Sequence, residues 1–142
     1  MAALTPAQVM ETLAASWTPD AMRDPATARR WATLFAADIV LVEPESLPHG
    51  GTHRGIEAFH AVQKGMRELW EQRIEGTDYW QCAPDLFALR IVIRWTARAT
   101  GRAAVLPMID LIRIRAGQIA EIEAFVHDTK ALLDTLAANP PA

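Results

Sequence analysis

Asp110 is the residue whose surroundings say most. It lies in the stretch Ala103 to Arg115, where strand alternation puts it on one face with Ala104, Leu106, Met108, Ile112 and Ile114. A carboxyl in the middle of an apolar face is costly to ionise. Either an arginine or a tryptophan N–H compensates it, or its pKa rises and it stays protonated, able to donate a hydrogen bond. Glu43 is the second candidate. It ends an apolar run, Ile39 to Glu43, shares a face with Ile39 and Leu41, and is followed by Pro44, which stops a strand. A carboxylate at a strand end beside an apolar cavity can act as a general base; a carboxylate at the rim would simply face solvent. Both are read as candidates for acid–base chemistry in a pocket.

The other polar residues carry less. His49 and His53 are four apart, a spacing that suits a metal on a helix, but they lie in a Pro/Gly-rich loop, and no metal site is read from them. His60 falls off the apolar stripe of its helix. His127 shares a face with Glu121, Glu123 and Phe125 at the end of the last strand, and is a candidate for the cavity. Trp17, Trp31, Phe59, Met66 and Met108 are the apolar side chains expected to bind a substrate. Ser46 and Thr52 have no histidine at a readable spacing, so a nucleophilic mechanism has no support. Gly50-Gly51 lacks the lysine of a phosphate loop.

These groups need elements to hold them. Thr5 and Pro6 open a first helix with Val9, Leu13 and Trp17 at spacing four, and Pro19 is expected to end it. Asp24-Pro25 opens a second, with Trp31, Leu34 and Phe35 inward. A short strand, Ile39 to Glu43, and a turning loop, Pro44 to Gly55, follow. A third helix is predicted from Ile56 to Gln72, with Phe59, Val62, Met66, Leu69 and Trp70 in one stripe. Strands are expected at Ile74–Ala83, Leu86–Ala99, Ala103–Arg115 and Gln118–His127, then a short helix capped by Asp128, Thr129 to Leu136. Arg90, Arg94, Arg98, Arg113 and Arg115 are expected to pair with Glu121 and Glu123 across strands. This order argues an α+β fold, helices packed on one face of a curved antiparallel sheet, with a hollow between them.

Composition narrows the class. The 142 residues suit a single domain, 1–142, with a loose tail at 137–142. The lone Cys82 excludes a disulfide framework and a cysteine zinc site. The formal charge of −3 argues against nucleic acid as partner. No apolar run reaches the length of a membrane span, and no secretory signal is legible, so a cytoplasmic protein is expected.

The stretch Leu34-Phe35-Ala36-Ala37-Asp38-Ile39-Val40-Leu41-Val42-Glu43-Pro44, the loop Pro48-His49-Gly50-Gly51-Thr52-His53-Arg54-Gly55 and the strand Ile109-Asp110-Leu111-Ile112-Arg113-Ile114 carry a resemblance, as does the ending Gly117-Gln118-Ile119-Ala120-Glu121-Ile122 with Phe125 and Asp128. About Ala7 to Leu136, the chain resembles the nuclear transport factor 2-like superfamily, which includes SnoaL-like polyketide cyclases and ketosteroid isomerase. The resemblance implies a cystatin-like, cone-shaped half-open barrel, an apolar pocket and frequent homodimers; no cofactor is expected, since no motif for one is present. It also implies that Glu43, just before Pro44, stands where ketosteroid isomerase has its base, and Asp110 where that enzyme has a protonated oxyanion donor, an arrangement for which it is the standard example. The isomerase's tyrosine donor has no counterpart: the first helix offers Trp17, and the one tyrosine is Tyr79.

The expected function is a cofactor-independent isomerase or cyclase acting on an apolar carbonyl compound, such as a polycyclic or terpenoid ketone, with Glu43 as base and Asp110 as donor. Two alternatives stand beside it: a non-catalytic ligand-binding or assembly domain, and a hydratase or epoxide-opening enzyme. The expected partners are a small apolar molecule and a second copy of the chain, through the open sheet face.

Overall fold

The computed structural model describes residues 2–138; the tail expected to be loose falls, from residue 139 on, outside them. Helix α1 (Pro6–Ser16) begins as its sequence demands. The Thr5 side chain accepts from Gln8 N, the Gln8 side chain accepts from Thr5 N, and Pro6 takes the first turn. Pro19 does not end a helix; it starts one. Thr18 caps a short α2 (Pro19–Arg23), and Asp24 caps α3 (Pro25–Thr33) through the Thr27 N–H. In each case the residue before a proline supplies the oxygen that satisfies a free N–H at the helix start.

Leu34 and Phe35 were expected on the second helix. Instead Phe35 opens β1 (Phe35–Glu43), four residues earlier than the β-branched run suggests. Pairing explains it: Phe35 lies beside Ile119, and Ile119 N donates to Leu34 O. The loop that follows contains a further strand, β2 (Gly51–Arg54), paired antiparallel to β1. Helix α4 (Ile56–Leu69) buries Phe59, Val62 and Met66, but ends before Gln72. Trp70 turns extended and opens β3 (Trp70–Ala83). Its fully buried indole packs edge-on to Trp95 and donates to Thr135 Oγ1, contacts a further helical turn would forfeit. Strands β4 (Leu86–Ala97), β5 (Ala103–Arg115) and β6 (Gln118–Val126) and helix α5 (Thr129–Leu136) complete the order.

The sheet has six strands in the order β2-β1-β6-β5-β4-β3 and is curved and unclosed. It is not wholly antiparallel: β1 runs parallel to β6, which brings the first strand beside the last. Leu89, Ile91, Ile93 and Trp95 of β4 and Leu106, Met108, Ile112 and Ile114 of β5 face inward, in one core with Val9, Met10 and Leu13 of α1, Phe59, Val62 and Met66 of α4 and Leu132 of α5. Burying one such side chain contributes about 1.5–3 kcal/mol, so this layer dominates stability. The arginines of the outer face pair differently from expectation. Arg94 meets Glu75, Arg113 meets Asp85 and Arg115 meets Asp38, not Glu121 or Glu123. Among the described residues no helix is long and apolar enough to cross a membrane.

Candidate functional site

Register places the two carboxyls on one level of the sheet. Leu41 and Ile112 flank Ile122 of β6 from opposite sides; two residues on, Asp110 lies beside Ala124, and Glu43 follows Val42, which lies beside Glu123. Glu43 and Asp110 thus stand two strands apart on the concave face, roughly 10 Å between backbones, with both side chains directed inward. Both are buried, 7% and 6% exposed.

They line a small inner chamber of about 40 Å³, with Trp17, Trp31, Phe59 and Gln63 among its other walls. That is room for a water or two, at roughly 15–30 Å³ each. Trp17, Trp31 and Gln63 also line an outer chamber of about 370 Å³ that reaches Met22, Arg67 and Arg98. The two chambers share those three side chains as a common wall. A larger groove, about 810 Å³, runs along the sheet ends near Arg54, Arg113 and Arg115, but Arg113 and Arg115 already have carboxylate partners, and Glu43 and Asp110 are not in it.

Of the expected site residues, Glu43, Asp110, Trp17, Trp31 and Phe59 are brought together. Met66 and Met108 are buried in the same core but line neither chamber. His127 is exposed and lies outside the cavity. Parity is the cause: it shares the outer face with Phe125, which is 50% exposed, while Ala124 faces in.

One residue of the site was not expected. His49 is buried, and its Nε2 lies 3.7 Å from Glu43 Oε2. Its ring stands edge-on to Trp70, and His53 Nε2–H donates to its carbonyl oxygen at 2.9 Å. The loop that presents it doubles back tightly. Leu47 N donates to Pro44 O and Gly50 N to Leu47 O, and a Cβ on Gly50 would sit 2.3 Å from Pro44 O. Gly50→Ala must therefore open the loop and is expected to cost about 1–3 kcal/mol in urea unfolding. Gly65→Ala, on α4 with nothing within 4 Å, is expected to have the opposite sign, stabilising by about 0.5–1 kcal/mol. Equal effects would show that the loop yields freely.

Electrostatics divide the site. Burial, then repulsion from Asp110, pushes Glu43 up to about 8. Burial pushes Asp110 up to about 7. Burial, then nearby His53, pushes His49 down to about 4. An ion pair would lower the glutamate and raise the histidine; both move the other way, and 3.7 Å is long for a hydrogen bond. His49 is therefore a neutral neighbour of Glu43. The carboxyls titrate as a pair and hold a single proton between their two values. Asp110 Oδ1, His49 Nδ1 and Trp31 Nε1 are buried without a hydrogen-bond partner among the described residues. Among the described residues no group of three His, Cys, Asp or Glu is placed to hold a metal.

The comparisons agree with the fold. Residues 20–122 match the family model described as a SnoaL-like domain. The chain belongs to the SnoaL-like family, within the NTF2-like superfamily. Among solved structures it is similar to an NTF2-like protein of Burkholderia xenovorans LB400 (20% identity, 94% of this chain and 98% of that one, TM-score 0.76). It is also similar to a candidate polyketide cyclase of Pseudomonas putida KT2440 (17% identity, 94% and 99%, TM-score 0.74). A third is TerC, co-crystallised with polyporic acid (19% identity, 93% and 98%, TM-score 0.75). At these identities the likeness is one of fold. None of the curated proteins compared with the chain matches it.

Proposed function

We propose that this SnoaL-like protein moves a proton next to the carbonyl of an apolar substrate, as an isomerase or cyclase would. The observation that carries the reading is the pair of buried carboxyls, Glu43 and Asp110, that line one small inner chamber together with Trp17 and Trp31. With one proton between them, one carboxyl is a base and the other a donor. A substrate oxygen that accepts from Asp110 favours its protonated form and leaves Glu43 ionised. Glu43 then takes the proton α to the carbonyl, and the C–H electron pair moves to form an enolate. Asp110 O–H holds the enolate oxygen. Returning the proton at the γ carbon completes an isomerisation; attack of the enolate carbon on a second carbonyl, with the proton passed to the alkoxide that forms, completes a cyclisation. Neutral His49 limits the room in which the Glu43 carboxyl can swing. The substrate body lies in the outer chamber, whose walls are largely apolar.

Turnover of a β,γ-unsaturated 3-ketosteroid, followed by the appearance of the conjugated enone absorbance, tests the reading. A rate above buffer that disappears in Glu43→Gln supports it. A wild-type rate equal to buffer speaks against proton transfer on such ketones.

A hydratase or epoxide-opening enzyme is the second reading, favoured by the inner chamber's room for a water beside two carboxyls. Incorporation of ¹⁸O from labelled water into product separates the two, since an isomerisation incorporates none.

The open face of the sheet is proposed to pair two copies of the chain. Trp80, Val105, Ile109 and Phe125 are exposed there, with Ile109 and Phe125 neighbours across β5 and β6. Sedimentation velocity is expected to show a dimer that Phe125→Asp disrupts; a monomeric wild type overturns the proposal.

A further inference from the structure

The structure assigns the second hydrogen-bond donor for the substrate oxygen to the Trp31 indole N–H, with Asp110 as the first; this assignment rests on the proton-transfer reading above. Tryptophan N–H groups that are buried nearly always find a partner. In the core Trp70 does so, donating to Thr135 Oγ1 at 2.9 Å. Trp31 Nε1 is buried and, among the described residues, has none. Its side chain lines both chambers, and the inner one is also lined by Asp110, whose Oδ1 is likewise buried without a partner. A donor and a carboxyl left open around one small space match a single ligand oxygen. A carbonyl there accepts one hydrogen bond from each, and the two bonds strengthen as negative charge develops on it.

The frame around Trp31 is fixed. Asp24 caps the start of α3 through Thr27, and the indole meets Phe35 edge-on, with ring centres 4.6 Å apart. Such placement before the substrate arrives is what an oxyanion site requires. Trp17, the residue that sequence position favours for this role, lines the same chambers, but of the two tryptophans Trp31 is the one whose N–H is buried and left open among the described residues. The ligand chemistry implied is an apolar body bearing one carbonyl, enol or phenol oxygen at its deep end.

The probe is 2-naphthol, a flat phenol that mimics an enol, set against naphthalene, which has the same rings and no oxygen. Binding of both is measured by quenching of tryptophan fluorescence in wild type and in Trp31→Phe, which keeps a ring against Phe35. The expected result is that the variant binds 2-naphthol roughly tenfold to a hundredfold more weakly, with naphthalene unchanged. Equal losses for both probes would reduce Trp31 to packing and overturn the assignment, as would no loss for either. Failure of wild type to bind 2-naphthol would overturn the proton-transfer reading itself, and the assignment with it. Should Trp31→Phe not fold, the wild-type indole N–H resonance of Trp31 decides: a downfield shift on adding 2-naphthol, absent with naphthalene, supports the assignment, and an unmoved resonance overturns it.

Discussion

Glu43→Gln is expected to lower kcat on a β,γ-unsaturated ketone by at least about 10², with KM changed only a few-fold. The replacement keeps the volume and shape of a side chain that is 7% exposed, so the chamber it lines keeps its walls. What is lost is the ability to accept a proton, and general base catalysis typically contributes 10²–10⁴-fold. A loss in kcat and kcat/KM together marks an interaction made in the transition state. Asp110→Asn is expected to cost less, because its amide still donates to the substrate oxygen; removal of one oxyanion donor outright costs about 10²–10³. The two variants therefore order the roles. If Asp110→Asn proves the more damaging of the two, the base is Asp110, and Glu43, which burial and Asp110 push up to about 8, is the donor. The pH profile of wild type adds a second check, since activity needs one proton on the pair and should peak between about 7 and 8. A rate that keeps rising above pH 9 would sink the shared-proton mechanism.

Much of this site was legible in residue order alone, and the reasons are local. Asp110 declares itself because β5 alternates strictly, so a single polar residue on the inner face stands out. Glu43 declares itself because Pro44 ends its strand. Alternation also carried the information that excludes His127, since Phe125 and His127 fall opposite Ala124, but a histidine at a strand end attracts a functional reading regardless. Met66 and Met108 share faces with residues that reach the cavity. Spacing identifies the inner face and not how near a side chain lies to the hollow. His49 was hidden for a different reason. It sits in a loop with no period, and its approach to Glu43 depends on Gly50 passing against Pro44, a contact that only the fold creates. The open N–H of Trp31 is of the same kind. A sequence shows that a tryptophan is present, while the missing partner for its nitrogen is a property of everything packed around it.

The same buried groups should tilt the protein's stability against pH in an unusual direction. An unfolded Glu43 or Asp110 titrates near 4.5 or 3.8, whereas the folded chain holds them to about 8 and about 7. Between those limits the folded state binds the extra protons, so each group removes about 1.4 kcal/mol of stability per pH unit as pH rises. His49 opposes them lower down. Its folded value, about 4, lies below its ordinary 6.5, so its contribution is present above 6.5 and is lost as pH falls toward 4. From about pH 4.5 to 6.5 two falling contributions meet one rising one, and the net slope is that of one group. Above 6.5 the histidine's opposition fades, and the carboxyls act with little opposition until Asp110 passes its midpoint near 7 and Glu43 near 8. Urea unfolding is therefore expected to show the steepest loss just above pH 6.5, about 2 kcal/mol between pH 6.5 and 8, levelling off beyond. For a chain of this size that is a fall in Tm of roughly 4–8 °C. The double variant Glu43→Gln/Asp110→Asn should be flat across that window, because neither side chain titrates. A wild type whose stability is level or rises from pH 6.5 to 8 would mean that the two carboxyls are ionised in the folded state at neutral pH. The cavity would then lack the neutral acid on which the proposed chemistry depends.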